Sequence, residues 1–328
     1  MVSVLLALAS ILVWSTLALF TSQTASLPPL FSVGAALGIG GLAGLFRIRD
    51  WRIPPVTLAV GVGGIFGYHA LLFAAFRLAP AVEVNLINYL WPLLIVVLSP
   101  VYLRGFELRP GHAVGALLGL AGAVLVVGGG RLSLDLSSLP GHLMAAAAAF
   151  LWATYSLLTK RVPPFSTGAV GLFCLISGAL SLGLWAGLEL AAEGSVSLPP
   201  MTGREALFLV FLGLGPMGLA FYTWDAALKL GDPRVIGSLA YLTPLLSTFN
   251  LVVAGGKSLT WATGAALALI MAGALVGSRG GRRTAGRAVR RQSRGSTSAG
   301  SPRTPCRAPG PRESRPSRPP AGSSPGRR

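Results

Sequence analysis

Charge is scarce in this chain, and negative charge scarcer still. Only 11% of the 328 residues are Asp, Glu, Lys or Arg, and ten of those are acidic, against roughly a quarter charged in a soluble domain. Two cysteines, Cys174 in an apolar run and Cys306 in a polar tail, are too few for a disulfide framework or a thiolate metal site. The three histidines, His69, His112 and His142, lie far apart and form no metal-ligand spacing. The one Gly-Lys-Ser, Gly256-Lys257-Ser258, has Leu251 where a G-x-x-x-x-G-K-S/T sequence needs its first glycine, so no Walker sequence is present. Paired carboxylates within apolar runs, a serine elbow with a partner histidine and a His/Glu metal motif are all missing. We therefore expect no catalytic residue, no cofactor and no metal, and a polytopic membrane enzyme is the weakest of the alternatives.

What the chain has in abundance is hydrophobic residues, 52% of the total, arranged up to about residue 278 in runs long enough to cross a hydrocarbon core of about 30 Å. Periodicity and length predict an all-α polytopic membrane protein with ten spans, at 2–21, 29–46, 55–76, 82–103, 111–129, 140–159, 166–188, 206–228, 234–254 and 259–278. The first run has no basic flank and no small-x-small cleavage site, so it reads as an uncleaved span. Glycines such as Gly34, Gly38, Gly41 and Gly44 lie inside the second run. In membrane helices they favour close packing.

Basic residues collect in cytoplasmic loops. With the N-terminus inside, the inner connections hold Arg47, Arg49, Arg52, Arg104, Arg109, Lys160, Arg161, Lys229 and Arg234, and the outer ones only Arg77, Arg131, Arg204 and Lys257. Both termini are therefore expected in the cytoplasm of a multi-pass protein of the inner or plasma membrane. Residues 279–328 differ in kind, with fourteen Arg and eight each of Pro, Gly and Ser. Such a segment cannot bury a core and is expected to be disordered. It reads either as a dispensable extension or as a polybasic patch for anionic headgroups. Most of the net charge of +17 lies there, but without interleaved aromatics it does not read as a nucleic-acid surface.

The chain also repeats itself. Tyr89-Leu90-x-Pro92-Leu93-Leu94 returns 152 residues later as Tyr241-Leu242-x-Pro244-Leu245-Leu246, with Ala75, Arg77 and Leu78 matching Ala227, Lys229 and Leu230. Trp14 and Thr16 return as Trp152 and Thr154 at an offset of 138. The expected units are a first five-helix repeat over 1–139, a second over 140–278, and the tail over 279–328. Five being odd, the second copy enters the membrane from the opposite face, and inverted copies give two states of similar energy.

Polar and aromatic residues inside a membrane are costly and mark candidate sites. Asn85, Asn88, Tyr89 and Pro92 fall at i, i+3, i+4 and i+7 on one helical face, with Trp91 beside the proline. The stripe lines a cavity or packs on another helix through its amides. Pro92 and Pro244 each remove a backbone donor and are candidate hinges. Tyr68 and His69 in the third span, Trp152 and Tyr155 in the sixth, and Ser238, Tyr241 and Thr248 in the ninth add polar aromatic faces. Asp225 sits four residues before Lys229, either as an ion pair near the boundary or as a coupling carboxylate.

Ten spans in two inverted halves, a tryptophan early in each half and Tyr-Leu-x-Pro in spans 4 and 9 resemble the EamA-type drug/metabolite transporters over residues 1 to about 278. Within them Asn88-Tyr89-Leu90-Trp91-Pro92, with Asn85 and Tyr68-His69, is similar to the branch exporting aromatic and other neutral amino acids. That resemblance implies a central cavity to which Trp14, Tyr68, His69, Tyr89, Trp91, Trp152, Tyr222 and Tyr241 contribute. It also implies export by alternating access, with a small-molecule substrate and the lipid bilayer as partners. Rings and amides without clustered charge suit a neutral or zwitterionic solute. Cation-π attraction from the same rings leaves a cationic-drug exporter as the alternative.

Overall fold

The computed structural model describes residues 1–128, 136–255, 261, 264–273 and 275–276. The tail 279–328, Arg131, Lys257, Cys306 and parts of the tenth expected span lie outside the described residues. Among those described there are helices and turns but no strand.

Among the described residues seven helical runs are long and apolar enough to cross a membrane: Val2–Ser22, Pro29–Trp51, Pro55–Leu78, Ala81–Tyr102, Leu139–Leu158, Thr167–Glu193 and Gly203–Leu230. The first joins α1 (Val2–Trp14) to α2 (Leu17–Ser22), and the second continues α3 (Pro29–Leu42) into a 3-10 stretch, Ala43–Trp51. Next come α4 (Pro55–Leu78), α5 (Ala81–Asn88), α6 (Leu90–Tyr102), α7 (Pro110–Gly128), α8 (Leu139–Leu158) and α9 (Val170–Glu193). They are followed by α10 (Gly203–Leu214), α11 (Ala220–Leu230), α12 (Pro233–Ala240) and α13 (Leu242–Gly255). The expected spans 111–129, 234–254 and 259–278 meet α7, the pair α12 and α13, and the short apolar helix Gly264–Gly273.

Local chemistry sets the ends. Pro29, Pro55, Pro110 and Pro233 each open a helix, where the missing N–H costs nothing and the fixed φ is already helical. Thr202 and Glu205 form a capping box at the head of α10, and α9 stops on Gly194 in the left-handed region, φ 69°, a conformation glycine takes without a Cβ clash.

Besides the turn between α1 and α2, three runs are interrupted within the expected spans at a proline. The α5–α6 helix breaks at Tyr89 (ψ 5°) and the α12–α13 helix at Tyr241 (ψ −9°). In both cases the proline three residues on cannot donate to the carbonyl of the residue before the tyrosine, so the ladder fails at the same repeat position. Between α10 and α11 a π-turn, Gly215–Leu219, surrounds Pro216, again a proline interrupting the backbone bonds.

Helix α3 packs along α9, α4 along α8, α1 along α11, and α6 against α8 and α12. The α3–α9 contact depends on glycine. A Cβ on Gly41 would lie 2.6 Å from the Leu175 amide nitrogen, and one on Gly178 would lie 2.7 Å from that of Gly38. The breaks of the two Tyr-Leu-x-Pro runs also meet: a Cβ on Gly237 would approach the Pro92 carbonyl to 3.0 Å.

Candidate functional site

Five large rings meet where α1, α6, α8 and α11 converge. Trp14 ends α1, Trp91 lies in the first turn of α6 just past the break, Trp152 lies in α8, and Phe221 and Trp224 lie in α11 just past the π-turn. All five are buried. Ring centroids are 6.2 Å apart for Trp14–Trp91, 6.0 Å for Trp14–Trp152, 5.2 Å for Trp14–Trp224 and 5.5 Å for Trp91–Trp224. Phe221 stands 5.4 Å from Trp152 and 6.0 Å from Trp14. Most pairs are edge-on or tilted, the arrangement that opposes a positive ring edge to a negative face.

Two of these indoles are locked by their own N–H. Trp14 donates to the Pro216 carbonyl at 3.0 Å, inside the π-turn, and Trp224 donates to the Ser156 hydroxyl at 3.2 Å. Among the described residues Trp91 and Trp152 have no such partner. They keep a donor in reserve. Tyr68 lies 5.1 Å from Trp152 and 5.0 Å from His69, and its hydroxyl accepts from Asn88 Nδ2 at 3.1 Å. The other amide atom, Asn88 Oδ1, is buried without a hydrogen-bond partner. A buried acceptor left open costs about 1–3 kcal/mol. His69 pairs through Nδ1 with the Ile65 carbonyl at 2.7 Å. Its ring also lines a cavity of about 640 Å³ that runs past Leu27, Ala36, Phe73 and Met217 to Arg77.

The structure thus gathers Trp14, Tyr68, His69, Asn88, Trp91 and Trp152, with Tyr155 stacked on the far side of Trp152 at 5.4 Å. It places the other singled-out residues elsewhere. Tyr222 donates to the Gly40 carbonyl at 3.3 Å and lies against Gly44 and Gly171 between α3 and α9. Tyr241 is fully buried in a second cluster with Val96, Ala116 and Leu245, where its hydroxyl accepts from the Leu93 amide at 3.1 Å. Tyr89 packs at the edge of that cluster and Asn85 is half-buried. Pro92 and Pro244 follow the two helix breaks.

Asp225 and Lys229 form an ion pair at 2.6 Å. The same carboxylate oxygen accepts from Thr167 at 2.6 Å, and the ammonium donates to the Phe165 carbonyl at 3.0 Å while lying 3.5 Å from the Phe165 ring centroid. Nearby, Lys160 donates to the carbonyls of Leu228 and Gly231. Burial lowers the Lys160 pKa, with Asp232 opposing. Burial raises that of Asp232, but hydrogen bonds from the Arg234 side chain and backbone, with its charge, win and hold the carboxyl below its usual range.

Sequence reasoning missed Phe221 and Trp224, taking only Tyr222 and Asp225 from the same run. The repeat carried the signal for one of them, because Phe221 is the counterpart of His69 at the offset of 152. Nor did sequence reasoning pair Glu83 with His142, one of the three histidines that lie far apart in the sequence. The two are buried and paired, His142 Nε2 to Glu83 Oε2 at 2.6 Å. No group of three potential metal ligands occurs among the described residues.

A model of the EamA-like transporter family matches residues 1–128 and, separately, 139–279. The chain is 44% identical over 281 residues to the aromatic amino acid exporter YddG of Ancylobacter novellus, covering 83% of this chain and 95% of that protein. Against the protein of the same name in Escherichia coli it is 26% identical over 289 residues, covering 78% and 96%. A solved crystal structure with 43% sequence identity superposes with a TM-score of 0.77, covering 86% of this chain and 98% of the other.

Proposed function

The chain belongs to the EamA-like transporter family, and from that premise we propose that it is a secondary transporter exporting amino acids, aromatic and other neutral ones foremost, by alternating access. The observation that carries the reading is the aromatic cage, Trp14, Trp91, Trp152, Phe221 and Trp224, joined through Tyr68 beside Trp152 to the buried Asn88 amide with its free acceptor. An apolar or aromatic side chain stacks on such rings. The open Asn88 Oδ1 accepts from the solute's ammonium group, and the unpaired indole N–H groups of Trp91 and Trp152 suit its carboxylate. The names of the relatives from Ancylobacter and Escherichia point to the same solutes.

In this reading the ten spans form two inverted halves, 1–139 and 140–278, in the inner or plasma membrane with both termini in the cytoplasm. The family match to each half and the basic bias of the connections support it. No residue is assigned a catalytic role. The matched breaks before Pro92 and Pro244 serve as the hinge of each half, one per copy, and they touch where Gly237 meets Pro92. Each half then takes up the conformation of the other, which exposes the cage first to one face and then to the opposite one.

The test is exchange of labelled phenylalanine or tryptophan by the purified full chain in vesicles. Flux abolished by Trp91→Ala at unchanged protein level and monodispersity is the expected result. Cages of this kind also hold ammonium cations. Flux of a cationic drug with none of any neutral amino acid would move the assignment to that substrate class.

A further inference from the structure

The ion pair near one end of α11 has a counterpart at the opposite end of the fold, and that counterpart is open. At the offset of 152, Asp225 and Lys229 correspond to Phe73 and Arg77, and at the offset of 138, Phe165 and Thr167 correspond to Leu27 and Pro29. Around Lys229 the four groups are closed on one another: carboxylate, hydroxyl, carbonyl and aromatic ring all lie within 3.5 Å of the ammonium. The loop between α8 and α9 is thereby held on the end of α11. It is held a second time by Trp51, which donates to the Gly168 carbonyl at 3.1 Å.

The four corresponding residues, Leu27, Pro29, Phe73 and Arg77, all line the cavity of about 640 Å³ described above. There the loop between α2 and α3 and the end of α4 line one cavity, and among the described residues no hydrogen bond joins them. Arg77 is exposed, its guanidinium 5.8 Å from the Phe73 ring centroid, and among the described residues it makes no hydrogen bond or ion pair. One face is latched and its equivalent is apart, as two inverted halves caught in one state of a two-state cycle require.

We propose that Lys229 and Arg77 are reciprocal latches of the transport cycle. Lys229 closes the cytoplasmic face in the state seen here. In the opposite state Arg77 moves onto the Leu27 carbonyl and closes the outer face, while Lys229 leaves Phe165. Both are positioning residues that act on the cage through the helix ends they hold. The latches are unequal, because Asp225 anchors Lys229 while Phe73 stands where the outer latch would need an acid. The inner latch is therefore the stronger, and the resting state is open to the outside. A population shift requires only such a difference in interaction between the two states.

This inference rests on the inverted-repeat reading, and its test is read without any solute. Hydrogen exchange followed by mass spectrometry on the purified full chain compares the peptide over 22–28 with that over 160–166. Asp225→Asn is expected to speed exchange at 160–166 and, at the same time, slow it at 22–28, each by about 5- to 150-fold, the span of a coupling of ordinary size. Phe73→Asp supplies the missing acid four residues before Arg77, a favourable helical spacing, and is expected to shift both peptides in the same directions. Arg77→Ala removes the outer latch and slows exchange at 160–166. Faster exchange at 160–166 in Asp225→Asn with no protection at 22–28 in either variant would mean local damage and overturn the proposal. The see-saw without amino acid flux leaves the latch standing and removes only the substrate; flux without the see-saw removes the latch alone.

Discussion

Replacing Tyr241 by phenylalanine removes one oxygen atom, and the structure assigns that atom a structural task. The hydroxyl accepts from the Leu93 amide at 3.1 Å, one residue past Pro92. It thereby fastens the break in the α12–α13 helix to the start of the segment that follows the other break. The ring around it is fully buried and lies where a Cβ on Gly119 would touch it, so water has little access to replace the lost acceptor. Losing the partner of a largely buried amide costs about 1–2 kcal/mol. On the scaling of large domains that lowers the thermal midpoint by about 2–8 °C.

Tyr89, the same residue in the first copy, supplies the control. It is half-buried, and among the described residues its hydroxyl makes no hydrogen bond. Tyr89→Phe is therefore expected to leave the midpoint within the error of a surface change, about ±0.5 kcal/mol. The assay is thermal unfolding of both purified variants beside the competition of phenylalanine, tryptophan and an aliphatic amino acid for export. Tyr241→Phe should lower the midpoint and leave the order of solute preference intact. A Tyr241→Phe protein with an unchanged midpoint and an altered order of solutes would refute the reasoning and move this hydroxyl into the substrate site. Equal destabilisation by both variants would refute it as well, because the first copy has no bond to lose.

Three further outcomes follow from packing and charge. Glu83→Ala and His142→Ala each break a buried pair, and each is expected to cost about 3–5 kcal/mol. A double substitution losing much less than the sum, measured by chemical denaturation, would show that the two act as one unit. Gly41→Ala drives a methyl into the Leu175 backbone and is expected to cost about 1–3 kcal/mol. Gly38→Ala, whose Cβ meets nothing within 4 Å, should be neutral or slightly stabilising when the two are compared in the same melt. Asp232 has a folded pKa lowered by Arg234, so its contribution is complete above the unfolded value of about 4 and is lost as the pH falls through the folded one. Asp232→Asn should therefore flatten the acid limb of a stability profile between about pH 4 and the folded value, and an unchanged limb would exclude the pair as its source.

Much of the framework was legible in the residues because the signals are local. Apolar length placed the seven long runs to within a few residues, and two of them open on a proline, Pro29 and Pro55. The stripe of Asn88, Tyr89 and Pro92 foretold a special place in the fourth span, although the helix break itself had to be seen. What could not be read is pairing across the bundle. Glu83 and His142 are 59 residues apart, and nothing in either neighbourhood announces the other. Tyr222 has the same composition of neighbours as a cavity residue, yet Gly40, Gly44 and Gly171 open a slot that takes its ring between two helices. Phe221 and Trp224 look like ordinary lipid-facing residues until the π-turn rotates α11 and brings both to Trp14.

The two copies share their backbone punctuation and differ in side-chain size at equivalent positions. In the proposed inverted repeat, equivalent positions close to the pseudo-two-fold axis approach each other, and two bulky side chains there would strain the core. At the offset of 152, Tyr68 corresponds to Ala220, Asn88 to Ala240, Trp91 to Thr243 and Trp224 to Leu72. In three of the four the smaller partner belongs to the second copy, and Trp224 is the exception that fills the cage from the opposite side. Ala220 and Ala240 are fully buried, and restoring a ring at either would overfill a closed core. His69 and Phe221 are the pair in which both copies keep a ring, and they stand 6.3 Å apart. On the proposed reading, duplication supplies two hinges of one design, and the lining that selects a solute depends on the positions where the copies have ceased to match.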